Sequence, residues 1–237
     1  MKKRNWYSTI IVLNLVLLII VGCKKEEDKA PVPLPSATPA ATTVTDVDGN
    51  VYHTITIGTQ TWMVENLKVT HYRNGDPINH LSDPALWTTT KTGAYCNYEN
   101  LGTNGEIYGR LYNWYALVEG PVIAPTGWHI PTNAEWQILV DYLGGVNAAG
   151  GKLKEEGLTH WQTPNTSATN QSGFAALPSG VIAMDLFIQQ GSFCNFWTVT
   201  ESDETYAWRW SLNYCDANAD NGEFGKVIGC SVRCIKD

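Results

Sequence analysis

The sequence predicts an α+β domain with its helices early and an antiparallel sheet late. Three observations carry this. From Tyr206 to Tyr214 the chain alternates, with Tyr206, Trp208, Trp210, Leu212 and Tyr214 on one face and Ala207, Arg209, Ser211 and Asn213 on the other, which is the strand period of two. Trp136, Leu139, Val140 and Leu143 fall at helical spacing behind a capping box, Thr132 to Glu135, and Gly144-Gly145 stops the run. Finally, 43% of the 237 residues are hydrophobic and only 16% charged, with ten Trp, eleven Tyr and 21 Gly. That composition favours short strands and many turns over long charged helix faces.

The elements follow in order. Val51, His53, Ile55 and Ile57 alternate with Tyr52, Thr54 and Thr56 as a strand, after a turn at Asp48-Gly49. A second strand is expected from Thr61 to Leu67, long loops over residues 70–92, and a short strand from Ala94 to Tyr98. Leu111, Trp114, Tyr115 and Val118 match a helix stripe ended by Gly120-Pro121. Residues 146–172 are rich in Gly, Asn and Thr and read as loop with one helical turn. Strands are expected at Phe174 to Ala176, Gly180 to Ala183, Phe187 to Gln189, Phe193 to Thr200 and Lys226 to Ile235, with a turn from Asp216 to Gly222. No period of 20–50 residues indicates a repeat architecture.

The N-terminus reads as an export leader over residues 1–22. Lys2, Lys3 and Arg4 precede an apolar run from Ile10 to Val21, which is shorter than the roughly 20 residues of a membrane span. The run ends at Ile20, Val21, Gly22 and Cys23, a tetrapeptide that resembles a bacterial lipobox. Lipidation of Cys23 and cleavage before it are expected, anchoring the chain to the outer membrane by acyl chains. The competing reading is a short uncleaved anchor. The segment Lys24 to Lys29 (KKEEDK) resembles the export signal of Bacteroidetes-type surface lipoproteins, or is a solvated charged tether. Residues 30–43 are Pro-, Ala- and Thr-rich, so 23–43 is expected to be an extended spacer and 44–237 a single folded domain. Removing the leader leaves 13 basic against 23 acidic residues, a net charge of −10. That balance argues against nucleic acid and anionic lipid as partners.

Apart from Cys23, five cysteines follow the leader: Cys96, Cys194, Cys215, Cys230 and Cys234. Disulfides are expected outside the cytoplasm, but an odd count leaves at least one thiol free or paired with another chain. On a regular strand Cys230 and Cys234 lie about 13 Å apart, beyond the roughly 7 Å a disulfide spans. Cys215 and Cys230 fall on unlike faces and are disfavoured as a pair.

Several segments together resemble the Fibrobacter succinogenes major paralogous domain. They are Asp48 to Tyr52 (DGNVY), Thr61 to Leu67 (TWMVENL), Gly93 to Cys96 (GAYC), Gly109 to Trp114 (GRLYNW), Gly127 to Thr132 (GWHIPT), Glu135-Trp136, Phe196-Trp197 and Ser231 to Cys234 (SVRC). The resemblance spans about residues 45–237. Its Pro131-Thr132 to Glu135-Trp136 stretch is similar to the formylglycine-generating enzymes. That likeness implies a C-type-lectin-like fold, with irregular antiparallel sheets and two main helices. The resemblance to the Fibrobacter succinogenes major paralogous domain also implies a Cys96–Cys234 bridge, because those positions match that family's pattern. Those enzymes hold copper(I) on two cysteines, and Cys215, Cys230 and Cys234 occupy roughly the corresponding region. A copper-dependent oxidase is therefore the alternative function, although the strand spacing speaks against Cys230 and Cys234 as joint ligands.

Other constellations are weaker. Asp216, Asn218 and Asp220 place oxygens at alternate positions, as calcium loops do, but Gly222 and Val227 break the register of a calcium-binding EF-hand; a polar turn is the competing reading. Trp114, Trp136, Trp208 and Trp210 sit on periodic apolar faces and are expected in the core. Trp87 and Trp161 lie in polar loops and are the candidates for exposed, ligand-stacking rings, with core packing the competing reading. The five histidines show no metal-ligand spacing, and no nucleophile elbow, zincin or phosphate-loop motif occurs. The leading expectation is a non-catalytic binding or adhesion module for extracellular glycans or proteins. The third is a structural envelope component.

Overall fold

The computed structural model describes residues 42–237. The leader, Cys23 and the spacer to residue 41 lie outside the described residues. The elements are β1 (Thr43–Thr45), β2 (Val51–Ile57), β3 (Gln60–Met63), β4 (Asn79–His80), β5 (Ala94–Cys96), α1 (Gly102–Tyr108), β6 (Leu111–Tyr112), α2 (Tyr115–Val118), β7 (Trp128–His129), α3 (Asn133–Tyr142), α4 (Val146–Leu153), β8 (Ser179–Ala183), β9 (Leu186–Gln190), β10 (Phe193–Glu201), β11 (Tyr206–Asn213), β12 (Ala219–Gly225) and β13 (Ile235–Lys236). The fold is α+β and mostly strand. Its three sheets run β1-β2-β3-β13-β7, β12-β11-β10-β8-β9 and β4-β5-β6. Pairing is antiparallel except between β10 and β8 and between β4 and β5. No helix among the described residues is long and apolar enough to cross a membrane.

The helix α3 forms as its sequence dictates. Thr132 accepts from the Glu135 N–H, and the Glu135 carboxylate accepts from the Thr132 N–H at 2.7 Å, which satisfies two of the donors a helix start leaves bare. Its buried Trp136 lies 5.1 Å from Trp62 and 6.1 Å from Trp210, centre to centre. With Phe174 and Phe196 these rings fill one of two large cores. In β2 the alternation holds as far as Thr54, with Tyr52 and Thr54 inward and Val51 57% exposed, and then shifts phase, so that Ile57 is buried and Thr56 exposed.

Other elements depart from the expectation. The stripe Leu111 to Val118 is not one helix. Tyr112 exchanges backbone hydrogen bonds with Cys230 and pairs with Tyr95, and only Tyr115–Val118 coils. Long-range strand pairing overrides the local period there. The helix α4 replaces an expected loop, despite adjacent glycines in its interior. A Cβ on Gly150 would meet the Asn218 carbonyl at 1.9 Å, so the glycine that weakens the helix is what lets it dock. The strand Lys226 to Ile235 reduces to isolated bridges and β13. Residues 219–225 pair with β11 as the edge strand β12 rather than forming a turn to Gly222.

Candidate functional site

Asn66, Glu65 and Val64 follow β3; Ile107 lies in the last turn of α1; Glu155 follows α4; Ala175 and Leu177 precede β8; Arg233 precedes β13. Together they line a cavity of about 200 Å³. At its floor is Arg233, 1% exposed. Its Nε and Nη2 donate to Asn66 Oδ1 at 3.1 and 2.7 Å, and its Nη1 donates to the Phe174 carbonyl. The guanidinium carbon lies 4.0 Å from the Phe174 ring centre and 5.2 Å from that of Phe196. Cationic and aromatic faces attract, most strongly where water is excluded. Asn66 is held in turn, its Nδ2 donating to the Tyr108 carbonyl at 2.8 Å and to Ser231 Oγ at 3.3 Å. Ser231 Oγ donates to Ser179 Oγ at 2.8 Å.

No carboxylate among the described residues forms an ion pair with Arg233. Burial pushes its pKa down to about 9, against the opposing fields of Cys194 and Glu65, and it remains a cation at neutral pH. Two carboxylates stand on the cavity wall, each braced by a histidine. Glu65 accepts from the His53 N–H at 2.7 Å and lies 2.6 Å from His53 Nδ1. Glu155 places both oxygens within 3.0 Å of His160 Nδ1. The His160 ring meets Tyr108 edge-on at 5.6 Å. Gly109 brings α1 against Asn66. Its φ is +75°, and a Cβ there would lie 2.6 Å from Asn66 Cβ, so only glycine closes the helix in this position.

None of these residues was a sequence candidate. The one local signal is Arg233 itself, the lone charge between Val227 and Ile235 in a run otherwise suited to burial. Glu65 and Glu155 carry none, because what makes them a site is a meeting of distant segments.

The sequence candidates fall elsewhere. Trp87 and Trp161 are 1% and 2% exposed, which corrects the expectation that polar loops would present them. The Trp87 Nε1 donates to the Leu81 carbonyl at 3.0 Å and the Trp161 Nε1 to the Ala176 carbonyl at 2.9 Å. The loops fold over the rings, and neither ring has a free face. The Cys96–Cys234 bridge is not formed, and all five cysteines of the described residues are free thiols. Cys96 packs with Leu81, Trp87 and Ile182, whereas Cys234 belongs to the large core of Met63 and Trp197. Burial raises the pKa of both thiols, and it raises Cys230 as well. Cys215 alone of the five is exposed, so it does not share a surface with Cys230 and Cys234.

Asp216 and Asn218 do meet. Asp216 Oδ1 accepts from the Asn218 N–H at 2.8 Å, and Oδ2 accepts from Asn213 Nδ2 at 2.8 Å. Asp220 sits in β12 opposite Ser211; burial raises its pKa, as does the charge of Asp216, against Arg209. The carbonyls of this region are engaged by a side chain. Lys154, fully buried, donates from Nζ to the carbonyls of Thr166, Asn213 and Asp216 at 3.0, 2.8 and 2.8 Å. Among the described residues no three of His, Cys, Asp and Glu gather as a metal set.

The family model described as the Fibrobacter succinogenes major domain matches residues 55–236. No curated protein and no solved structure matches the chain.

Proposed function

The chain belongs to the Fibrobacter succinogenes major domain family, and from that membership we propose a non-catalytic binding module, held at the outer membrane by acyl chains on Cys23. The cleft above Arg233 is its recognition site. One observation carries the reading: a buried guanidinium without a carboxylate partner lies beneath an opening walled by two histidine-braced carboxylates. A buried charge is costly unless something compensates it, and pockets with a few convergent polar groups on an apolar lining are where ligands bind. The scaffold is read as C-type-lectin-like. In support, β13 lies between β3 and β7 in the sheet that also holds β1. Fold likeness transfers no activity.

The test has two parts. An array of glycans, peptides and small metabolites is probed with the full-length lipoprotein and with its Glu65→Gln/Glu155→Gln variant. Ligands lost in the variant support the cleft as the site; ligands bound equally by both remove it. Membrane fractionation of Cys23→Ser tests the anchor, which is wrong if the variant stays with the membrane.

A further inference from the structure

We infer that the cleft takes a small zwitterion, an ammonium and a carboxylate on one short scaffold, as in a free α-amino acid with an aliphatic side chain. This rests on the binding-module reading and names its ligand class. Three features of the cavity point the same way.

The charges come first. Arg233 lies at the floor and Glu65 and Glu155 on the wall of one cavity. A simple anion would meet both carboxylates, and a simple cation would meet the guanidinium. A neutral sugar would leave the buried guanidinium charge uncountered. A ligand carrying both signs complements both.

Hydrogen-bonding capacity comes next. A guanidinium has five N–H donors. In Arg233 each of the three nitrogens makes a bond to a neutral oxygen, from Asn66 or Phe174, so three of the five N–H groups are engaged and none of them by a carboxylate. Guanidinium with carboxylate is the pairing in which charge-assisted bonds are strongest. Each carboxylate oxygen of Glu65 and Glu155 has two lone pairs. His53 and His160 hold these oxygens from one side, and the remaining acceptor capacity suits an ammonium.

Size and lining come third. About 200 Å³ is smaller than the roughly 300–1,000 Å³ of sites for drug-sized ligands, which leaves no room for an oligosaccharide. Val64, Ile107 and Leu177 supply an apolar wall. Ile107 is half exposed and would be covered by an aliphatic ligand side chain.

The experiment is calorimetric titration of the full-length lipoprotein with alanine, valine and leucine, then with the methyl ester and the N-acetyl derivative of the tightest. Binding of the parent, with each blocked analogue weaker by about tenfold or more, supports the inference. The Glu65→Gln/Glu155→Gln variant should weaken the parent about tenfold and leave the N-acetyl compound, which has no ammonium, unchanged. Analogues that bind as well as the parent, or amino acids that produce no heat, overturn it. Array ligands lost in the double variant while amino acids stay inert would sink the zwitterion and leave the binding module standing. If the double variant changes nothing at all, both readings fall. The analogue series uses the unaltered protein, so the answer does not depend on any variant folding.

Discussion

Lys154 and Arg233 are both buried cations without a carboxylate partner, and the fold treats them differently. The Lys154 ammonium has three N–H donors and three carbonyl acceptors, Thr166, Asn213 and Asp216. Nothing is left over, and the loop around it is closed. Burial lowers the Lys154 pKa, while Cys194, Asp216 and Cys215 oppose that shift. Arg233 has five donors against two neutral acceptor atoms, and it faces a cavity rather than a packed loop. The contrast teaches that burial of a charge does not by itself mark a function. What separates a structural cation from a binding one is whether its donors are exhausted and whether there is space beside it.

That comparison can be broken most directly at Lys154. In Lys154→Met three carbonyls lose their donor together. We expect a loss of about 3–5 kcal/mol, the range for stranding the partners of a buried charge. Urea unfolding should show it as a lower midpoint at unchanged slope. A loss under about 1 kcal/mol would mean the loop does not depend on this ammonium.

Arg233→Lys comes next. It keeps the charge but cannot reach Asn66 and Phe174 as a planar fork does. We expect about 2 kcal/mol of destabilisation in the same assay, together with loss of ligand response in the cleft. If the lysine variant binds as well as the parent protein, a simple point charge suffices and the fork has no role.

His129 supplies the smallest effect and the opposite arrangement, a titratable group that is paired with carboxylates and only partly buried. Its Nδ1 lies 2.7 Å from Asp237 and its Nε2 2.9 Å from Glu135. Partial burial opposes its charge, but the two carboxylates outweigh that, and its pKa is raised. Burial likewise opposes the charge on Glu135, and hydrogen bonds from Thr132 and His129 outweigh it, so that carboxyl is lowered. A raised histidine contributes stability that is complete below its unfolded value of about 6.5 and fades as pH rises through the folded value. His129→Gln should therefore cost about 0.5 kcal/mol near pH 5.5, a figure held down by solvent screening, and almost nothing near pH 9. An equal cost at both pH values would assign the effect to packing.

Part of this was legible in the sequence. The capping box at Thr132 and Glu135 predicted α3, because a helix start is a local problem with a local solution. The alternation of residues 206–214 predicted β11, and the ordered motifs from Asp48 to Cys234 predicted the family. The helix expected over Leu111 to Val118 failed because Tyr112 finds strand partners in Cys230 and Tyr95, which no local window contains. Trp87 and Trp161 are buried for a related reason. Polar neighbours in sequence say little about which loop closes over a ring.

By itself, then, the chain determined what depends on near neighbours: the strand and helix periods, the cap, the family motifs. Tertiary structure alone decided that residues 65, 155 and 233 share one cavity, that the five thiols of the described residues stay unpaired, and that an ammonium holds the carbonyl of Asp216, where a polar turn and a calcium loop were the two readings. The physical reason is that charge compensation and burial are set by groups a few ångströms apart in space, and the pairing of β3, β8 and β13 with their neighbours brings those groups together from distant parts of the chain.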